Sequence, residues 1–104
     1  MLQQSQLMRV FAKKILRDFR DKHADTEEQL KTWYKEASIA KWASPSKIKA
    51  EYPKASILKD GKVIFNICGN KYRLVVRINY RRGWVFILFI GTHIEYDKLK
   101  IDKM

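Results

Sequence analysis

The stretch KYRLVVRINYR, from Lys71 to Arg81, alternates between two kinds of side chain. Successive side chains of a β-strand point to opposite faces, so one face of this stretch would carry Tyr72, Leu74, Val76, Ile78 and Tyr80. The opposite face would carry Lys71, Arg73, Val75, Arg77, Asn79 and Arg81. The alternation predicts a strand that packs against helices on one side. On the other side, basic groups two residues apart would stand about 6.6–7 Å from one another, which suits the phosphates of a single nucleic-acid strand.

This row of like charges has two explanations. Surface strands often carry charges, so the row could simply be a solvated outer face. Neighbouring guanidinium groups repel one another, however, unless an anion relieves the repulsion. The whole chain shares the bias, because 22 Lys and Arg against 11 Asp and Glu give 104 residues a net charge of +11. A surface of that charge attracts polyanions, and we expect a nucleic-acid partner.

Three further strands are predicted around this one, over Ala55 to Lys59, Lys62 to Cys68, and Trp84 to Ile90. The turns between strands are marked by three short stretches: Asp60-Gly61, Gly69-Asn70 and Arg81-Arg82-Gly83. Dipeptides such as Asp-Gly favour tight hairpins, so the four strands should form an antiparallel meander. The last strand is apolar at every position, and we therefore expect it to lie inside the sheet, covered on both faces.

The first half of the chain has helical spacing instead. Phe11, Ile15, Leu16 and Phe19 recur on one face of a helix, although Val10 and Phe11 could also end a short strand before that helix. Capping residues mark two more helices: one opens at Asp25 with Glu28 three residues on, and one opens at Ser44-Pro45 and ends before Tyr52-Pro53.

These elements predict an α+β fold, in which an antiparallel meander of about four to five strands packs against two to three N-terminal helices. The length suits one domain over residues 1–104. Residues 1–7 are either a flexible extension or lie upstream of an alternative start at Met8. A single cysteine, Cys68, excludes an internal disulfide and is predicted to be a core thiol. The longest apolar run, Trp84 to Ile90, falls far short of the roughly 20 residues that cross a bilayer, so we expect a cytoplasmic protein.

Titratable groups follow the last strand directly, in Gly91-Thr92-His93-Ile94-Glu95-Tyr96-Asp97-Lys98. Their position should deliver them to the edge of the basic face. RNA cleavage without a metal needs a base for the 2′-hydroxyl, cations for the extra charge on phosphorus, and an acid for the leaving 5′-oxygen. Imidazole suits either proton transfer, and the guanidinium fork suits the phosphate. The chain has no phosphate-binding glycine loop, zinc-ligand motif or serine nucleophile elbow, which leaves metal-independent RNA cleavage as the chemistry that fits.

Two motifs make the chain recognisable: Phe-Asn-Ile-x-Gly-Asn-Lys-Tyr-Arg-Leu at residues 65–74 and Thr-His-x-Glu-Tyr-Asp at residues 92–97. With the shorter stretches Trp42 to Pro45 and Tyr52 to Ser56, they resemble the HigB family of toxins, part of the RelE-like superfamily of mRNA interferases. The resemblance covers nearly the whole chain from Met8 onward.

The resemblance implies a RelE-like fold, cleavage of mRNA on the translating ribosome, and neutralisation by a HigA-type antitoxin. It also implies that Arg73 supports the scissile phosphate, and that His93 and Tyr96 act near the reacting groups. We add four phosphate or RNA contacts from their positions in the sequence: Lys71, Arg77, Arg81 and Lys98. No cofactor and no metal ligand is expected, and the order of acid and base stays open.

Two rival functions remain open on the sequence. A non-catalytic RNA- or ribosome-binding module would use the same basic face, with Tyr72, Tyr80 and Trp84 for packing. It would leave mRNA intact, whereas an endoribonuclease would produce new 5′ ends. A DNA-binding regulator is disfavoured because no helix-turn-helix pattern is found.

Overall fold

The computed structural model describes residues 8–99, 101 and 104. Its strands are β1 (Arg9–Phe11), β2 (Ser56–Ile57), β3 (Lys62–Ile67), β4 (Tyr72–Asn79) and β5 (Trp84–Thr92). Its helices are α1 (Lys14–Lys22), α2 (Glu27–Ile39), α3 (Pro45–Glu51) and α4 (His93–Asp97), with a 3-10 turn over Ala24–Thr26. The predicted flexible extension, residues 1–7, lies outside the described residues. Within the described part, no helix is long and apolar enough to span a membrane.

One five-stranded sheet organises the fold, in the order β1-β5-β4-β3-β2. Strands β2 to β5 pair antiparallel, each with its neighbour in the chain, which confirms the predicted meander. β1 adds to the free edge of β5 in parallel, so the sheet is mixed. Helices α1, α2 and α3 precede the meander, and the α+β prediction is confirmed. Phe11 lies in β1 rather than on the first helix, so of the two readings of this segment the strand is the right one.

The core lies between the sheet and the helices. The predicted apolar face of β4 is buried there, because Tyr72, Leu74, Val76 and Ile78 all belong to the core cluster. Phe65 of β3 lies at the centre of an aromatic group, with the rings of Trp33, Trp42 and Tyr52 all within 5.9 Å of its centroid. Burial of these large side chains supplies most of the driving force for folding.

The prediction that the last strand is covered on both faces is wrong. On the helix side of β5, Val85, Ile87 and Ile90 are buried. On the outer side Trp84, Phe86 and Phe89 are only partly buried, because the helices cover only the inner face of the sheet. The strand is nevertheless interior, since β1 pairs with its second edge. A bulge at Leu88, where the register with β4 shifts, separates the two halves of β5.

The predicted turn at Asp60-Gly61 is confirmed. Both residues have positive φ, 63° and 77°, the backbone geometry that primed hairpin turns require. A Cβ on Gly61 would lie 2.5 Å from the carbonyl oxygen of Ile78, so both the conformation and the space call for glycine here.

Two predicted helix caps differ from the structure. α2 begins at Glu27 with Thr26 as its N-cap, and Asp25 lies in the preceding 3-10 turn. The Asp25 carboxylate does not cap the helix, because Tyr72 and Lys71 donate to it instead. α3 has the predicted bounds, but the Ser44 hydroxyl pairs with that of Ser46 rather than with the helix backbone.

Candidate active site

The candidate active site lies where β4 begins and β5 ends. Antiparallel pairing sets Arg73 opposite Gly91, and the His93 amide donates to the Lys71 carbonyl at 3.1 Å. Two segments that are 20 residues apart in sequence therefore meet at one end of the sheet. This confirms that the titratable segment after β5 reaches the end of the sheet where Arg73 lies.

Arg73 and His93 contact each other directly. The Arg73 Nη2 lies 2.9 Å from the His93 Nδ1, and its Nη1 donates to the Asn70 carbonyl at 2.9 Å. A guanidinium has no acceptor and stays protonated, so the Nδ1 of His93 must be the acceptor of this bond. The imidazole is then neutral, with its proton on Nε2. That nitrogen lies 3.2 Å from the Asp97 carboxylate, which fixes the ring from its other side.

A short helix that the sequence analysis missed holds His93 in place. α4 starts directly after Thr92, and Thr92 and Glu95 form a capping box in which each side chain accepts from the other's backbone amide. Gly91 leaves room for it, because a Cβ there would lie 2.7 Å from a Glu95 oxygen and 2.5 Å from the Phe89 ring. The Thr-x-x-Glu spacing was the signal that could have revealed this helix.

The helix also places two other residues of the motif. Tyr96 follows His93 by three positions and Asp97 by four, so both lie on the side of α4 that carries His93. Lys98 is the exposed C-cap of the same helix. The structure therefore brings Arg73 and His93 into contact, and it places Tyr96 on the His93 side of α4 and Lys98 at the end of that helix. Asp97 was not predicted as a site residue, because its contact with His93 depends on the helix.

Lys71 does not join the row of cations on the outer face. Its Nζ donates to Asp25 at 2.9 Å, and Asp25 also accepts from the Tyr72 hydroxyl at 3.0 Å on the helix side of the sheet. The strand alternation does not apply to Lys71, since it lies in the turn before β4. The predicted placement of Lys71 beside Arg73 is therefore wrong.

The cluster around Asp25 ties the helices to the start of β4. The hydrogen bond from Lys71 lowers the pKa of the Asp25 carboxyl below its ordinary value of 3.8, and the bond from Tyr72 lowers it further. Burial, reinforced by the carboxylate, raises the pKa of the Tyr72 hydroxyl. The thiol of Cys68 lies beside this cluster, 3.4 Å from the Asp25 carbonyl, and is half-buried at the rim of the core rather than inside it.

The remaining predicted cations are not close to His93. Arg77 is half-buried and donates to the main-chain oxygen of Met104 at 2.8 Å, and buried Lys62 on the neighbouring strand donates to the Ile101 carbonyl. Residues near the C-terminus thus lie over this part of the outer face. Asn79, the last residue of β4, lies about 20 Å from Arg73 at about 3.3 Å per residue, and Arg81 lies beyond it in the turn.

A pocket of about 400 Å³ adjoins the site on the β3 side. Asn66 in its wall is the register partner of Arg73, and Asn70, whose carbonyl accepts from Arg73, is also part of it. Phe65 and Tyr52 supply its aromatic wall. Its residues come from α2, from α3 and the segment after it, from β3 and from the turn after β3, so no local motif could have predicted it. Among the described residues, no group of three His, Cys, Asp or Glu side chains is placed to hold a metal ion.

Comparison with known proteins assigns the chain to a family. Residues 26–99 match the model of the HigB toxin family, described as a RelE-like toxic component of a toxin-antitoxin system. The chain is also similar to the mRNA interferase toxin HigB of Escherichia coli K12, with 26% identity over 92 residues, which cover 86% of this chain and 88% of the relative. The mRNA interferases HigB of Escherichia coli O157:H7 and Shigella flexneri match with the same values. Since the family match spans well over half of the residues and includes β3 to α4, the chain belongs to the HigB toxin family of RelE-like toxic components of toxin–antitoxin systems.

Proposed function

We propose that this HigB-family toxin is a metal-independent endoribonuclease that cleaves mRNA in the cytoplasm, on the translating ribosome, and so inhibits translation and growth. The observation that carries the proposal is the 2.9 Å contact between Arg73 and His93 at the open end of the sheet. A phosphate-binding group and a proton acceptor are thereby side by side and reachable from solvent. The names of the relatives, which are called mRNA interferases, support mRNA as the substrate.

The reaction follows from an exchange of partners. The Arg73 fork, held by the Asn70 carbonyl and the His93 ring, turns to the two phosphate oxygens of the bound RNA. The Nδ1 of His93 is then free to take the proton of the 2′-hydroxyl. The 2′-oxygen forms its bond to phosphorus while the bond to the 5′-oxygen breaks, and Arg73 stabilises the added negative charge.

The other residues of α4 complete the proton transfers. Asp97, 3.2 Å from the His93 Nε2, stabilises the imidazolium that forms when the base is protonated. Tyr96 lies on the same side of the helix and is the acid we assign to the leaving 5′-oxygen. Lys98 at the end of α4 and Arg81 at the far turn are contacts to the RNA backbone outside the reacting phosphate.

A cognate antitoxin of the HigA type would neutralise this activity. Because the chain has a net charge of +11, the simplest way to inhibit it is to cover its basic face. We propose that the antitoxin covers the Arg73–His93 end of the sheet. In a complex whose interface lies wholly on the helical side, with Arg73 open to solvent, direct occlusion would be excluded.

Exchange of Arg73 for alanine tests the proposal. The Arg73→Ala variant should lose growth arrest on induction, because loss of one transition-state donor costs about 10²–10³ in rate. Arg17→Ala, which removes an exposed cation of α1, is the matched control and should stay toxic. An Arg73→Ala protein that folds and arrests growth like the parent would overturn the mechanism.

A further inference from the structure

The outer face of β5 and β1 carries an aromatic surface that the proposed active site does not use. Phe11, Trp84 and Phe86 form it, and we refer to them as the outer aromatic patch. Register pairs Arg9 with Trp84 and Phe11 with Phe86. All three rings are partly exposed, and none belongs to the core cluster or packs against it.

The rings of the patch are ordered by one another. Phe11 and Phe86 stack with centroids 4.7 Å apart and planes 15° from parallel. Trp84 meets both rings edge-on, at 5.8 and 6.0 Å. Mutual packing of this kind keeps three large apolar groups in place on a solvent-facing surface, where burial alone would not hold them.

Guanidinium groups flank the patch. Arg9 lies 5.5 Å from the centroid of Phe11, and Arg82 lies 5.0 Å from that of Trp84. Arg77, the register partner of Phe86 on β4, is not one of them, because its guanidinium donates to the main-chain oxygen of Met104. Flat rings among cations suit a ligand that is itself flat and anionic, and a single nucleic-acid strand has both properties. A purely apolar partner would leave these cations without a counter-charge.

The patch is also continuous with the active site. Along β5, Gly91 lies about 23 Å from Trp84 at about 3.3 Å per residue, and Gly91 is the register partner of Arg73. Phe89, on the same outer side, lies between the two ends. An RNA strand that follows β5 from the patch therefore arrives at Arg73 and His93.

We propose that the outer aromatic patch binds the single-stranded RNA that flanks the scissile phosphate. Bases of that segment stack on Trp84 and Phe86, and Arg9 and Arg82 hold its phosphates. The inference rests on the proposed function in one respect, that the bound strand is the substrate. It makes the substrate path several nucleotides long and independent of the reacting groups.

Trp84 supplies a direct test. The other two tryptophans, Trp33 and Trp42, are each only 2% exposed, so a ligand that quenches tryptophan emission reports on Trp84. The probe is a single-stranded 2′-O-methyl oligonucleotide, which binds but cannot be cleaved because it has no free 2′-hydroxyl. We expect it to quench the emission of the full-length protein.

Variants show which side chains bind the probe. With a fluorescently labelled probe, Trp84→Ala should raise Kd about tenfold, the size of one lost base–aromatic stack. Trp84→Phe should retain most of the affinity, which separates stacking from a folding defect. Arg82→Ala should lower the slope of log Kd against log salt by about one. Arg17→Ala on α1 is the control for loss of a cation elsewhere.

A folded Trp84→Ala protein that binds the probe as tightly as the parent would overturn the inference. If that variant also lost affinity for the antitoxin, the patch would be a protein interface. A protein that binds the probe through Trp84 but leaves mRNA intact would refute the proposed function and leave this binding surface standing.

Discussion

At the scale of single residues, the contact between Arg73 and His93 explains how the resting site is kept ready. Without substrate, both terminal nitrogens of the Arg73 guanidinium are engaged, because Asn70 and His93 accept hydrogen bonds from them. His93 in turn is fixed in one tautomer between Arg73 and Asp97. In the mechanism that we propose, arrival of a phosphate frees the base in the same movement that positions the cation, and binding is thereby coupled to proton transfer.

His93→Gln tests the base. Glutamine cannot accept and return the proton, so the rate of RNA cleavage should fall by about 10²–10⁴. The melting temperature should stay near that of the parent, because His93 is exposed and outside the core. Single-turnover cleavage and thermal melting measure the two quantities. Cleavage at the parental rate by His93→Gln would show that His93 is not the general base.

Asp25→Asn tests the link between the helices and β4 as a function of pH. The pKa of Asp25 is lowered in the folded protein by Lys71 and Tyr72, so the carboxylate stabilises the fold above 3.8 and loses that contribution as the pH falls below it. Asp25→Asn should therefore melt earlier than the parent at neutral pH, and the gap should close in acid. Asp21→Asn, on an exposed face of α1, controls for lost charge. A gap that is constant with pH would contradict this assignment.

Arg73 and His93 could be predicted from the sequence, whereas the contacts of Asn70, Asp97 and Asp25 could not. Strand alternation is a property of a few adjacent residues, and it correctly gave the side of the sheet on which Arg73 and Arg77 lie. Asn70 contributes only its backbone carbonyl, which residue identity does not encode. Asp97 depends on a helix turn, and Asp25 on a contact across 46 positions to Lys71.

At the scale of elements, the five-residue helix α4 carries three of the four residues with proposed catalytic roles, His93, Tyr96 and Asp97. A helix this short is marginal by itself, and the capping box of Thr92 and Glu95 is the local interaction that holds its first turn. Its position after β5 depends on Gly91, which has no room for a side chain.

Thr92→Val removes one side of that capping box with little change in shape. Loss of an N-cap costs about 0.5–2 kcal/mol, and here the loss should fall on α4 rather than on the core. We expect cleavage activity to drop by about tenfold or more, with a small change in melting temperature. Ser44→Ala is the matched control, because Ser44 is an N-cap that makes no capping bond to α3. Equal activity of both variants would show that the cap does not position His93.

The meander was predictable because each of its turns is local, with Asp60-Gly61 in positive φ as the clearest case. The pairing of β1 and the partial exposure of β5 were harder to predict from the sequence. A three-residue parallel strand has no pattern of its own, and an all-apolar strand reads as doubly covered even when rings on one face contact each other.

At the scale of the whole molecule, the sheet separates the buried core on one side from the face that we propose binds the substrate on the other. The aromatic group around Phe65 lies between sheet and helices, and Arg73, His93 and the outer aromatic patch lie away from it. Substitutions on the core side should therefore lower stability, whereas those on the other face should lower activity or RNA binding.

Phe65→Ala should destabilise the fold by about 3–5 kcal/mol, the usual cost of a deleted core aromatic. A domain of this size has about 5–15 kcal/mol in total, so the variant should be largely unfolded by mild urea. Chemical denaturation measures the loss, and Ile39→Ala, at a position 65% exposed on α2, is the control. A loss below about 1 kcal/mol for Phe65→Ala would contradict the described core.

We propose above that the Arg73–His93 end of the sheet cleaves mRNA. Incubation of the protein with translating ribosomes, followed by mapping of 5′ ends along the mRNA, tests it most directly. We predict new 5′ ends with the parent protein and with Arg17→Ala, and none above background with Arg73→Ala. A parent protein that binds ribosomes but leaves the mRNA intact, or an Arg73→Ala protein that yields the same ends, would contradict the claim.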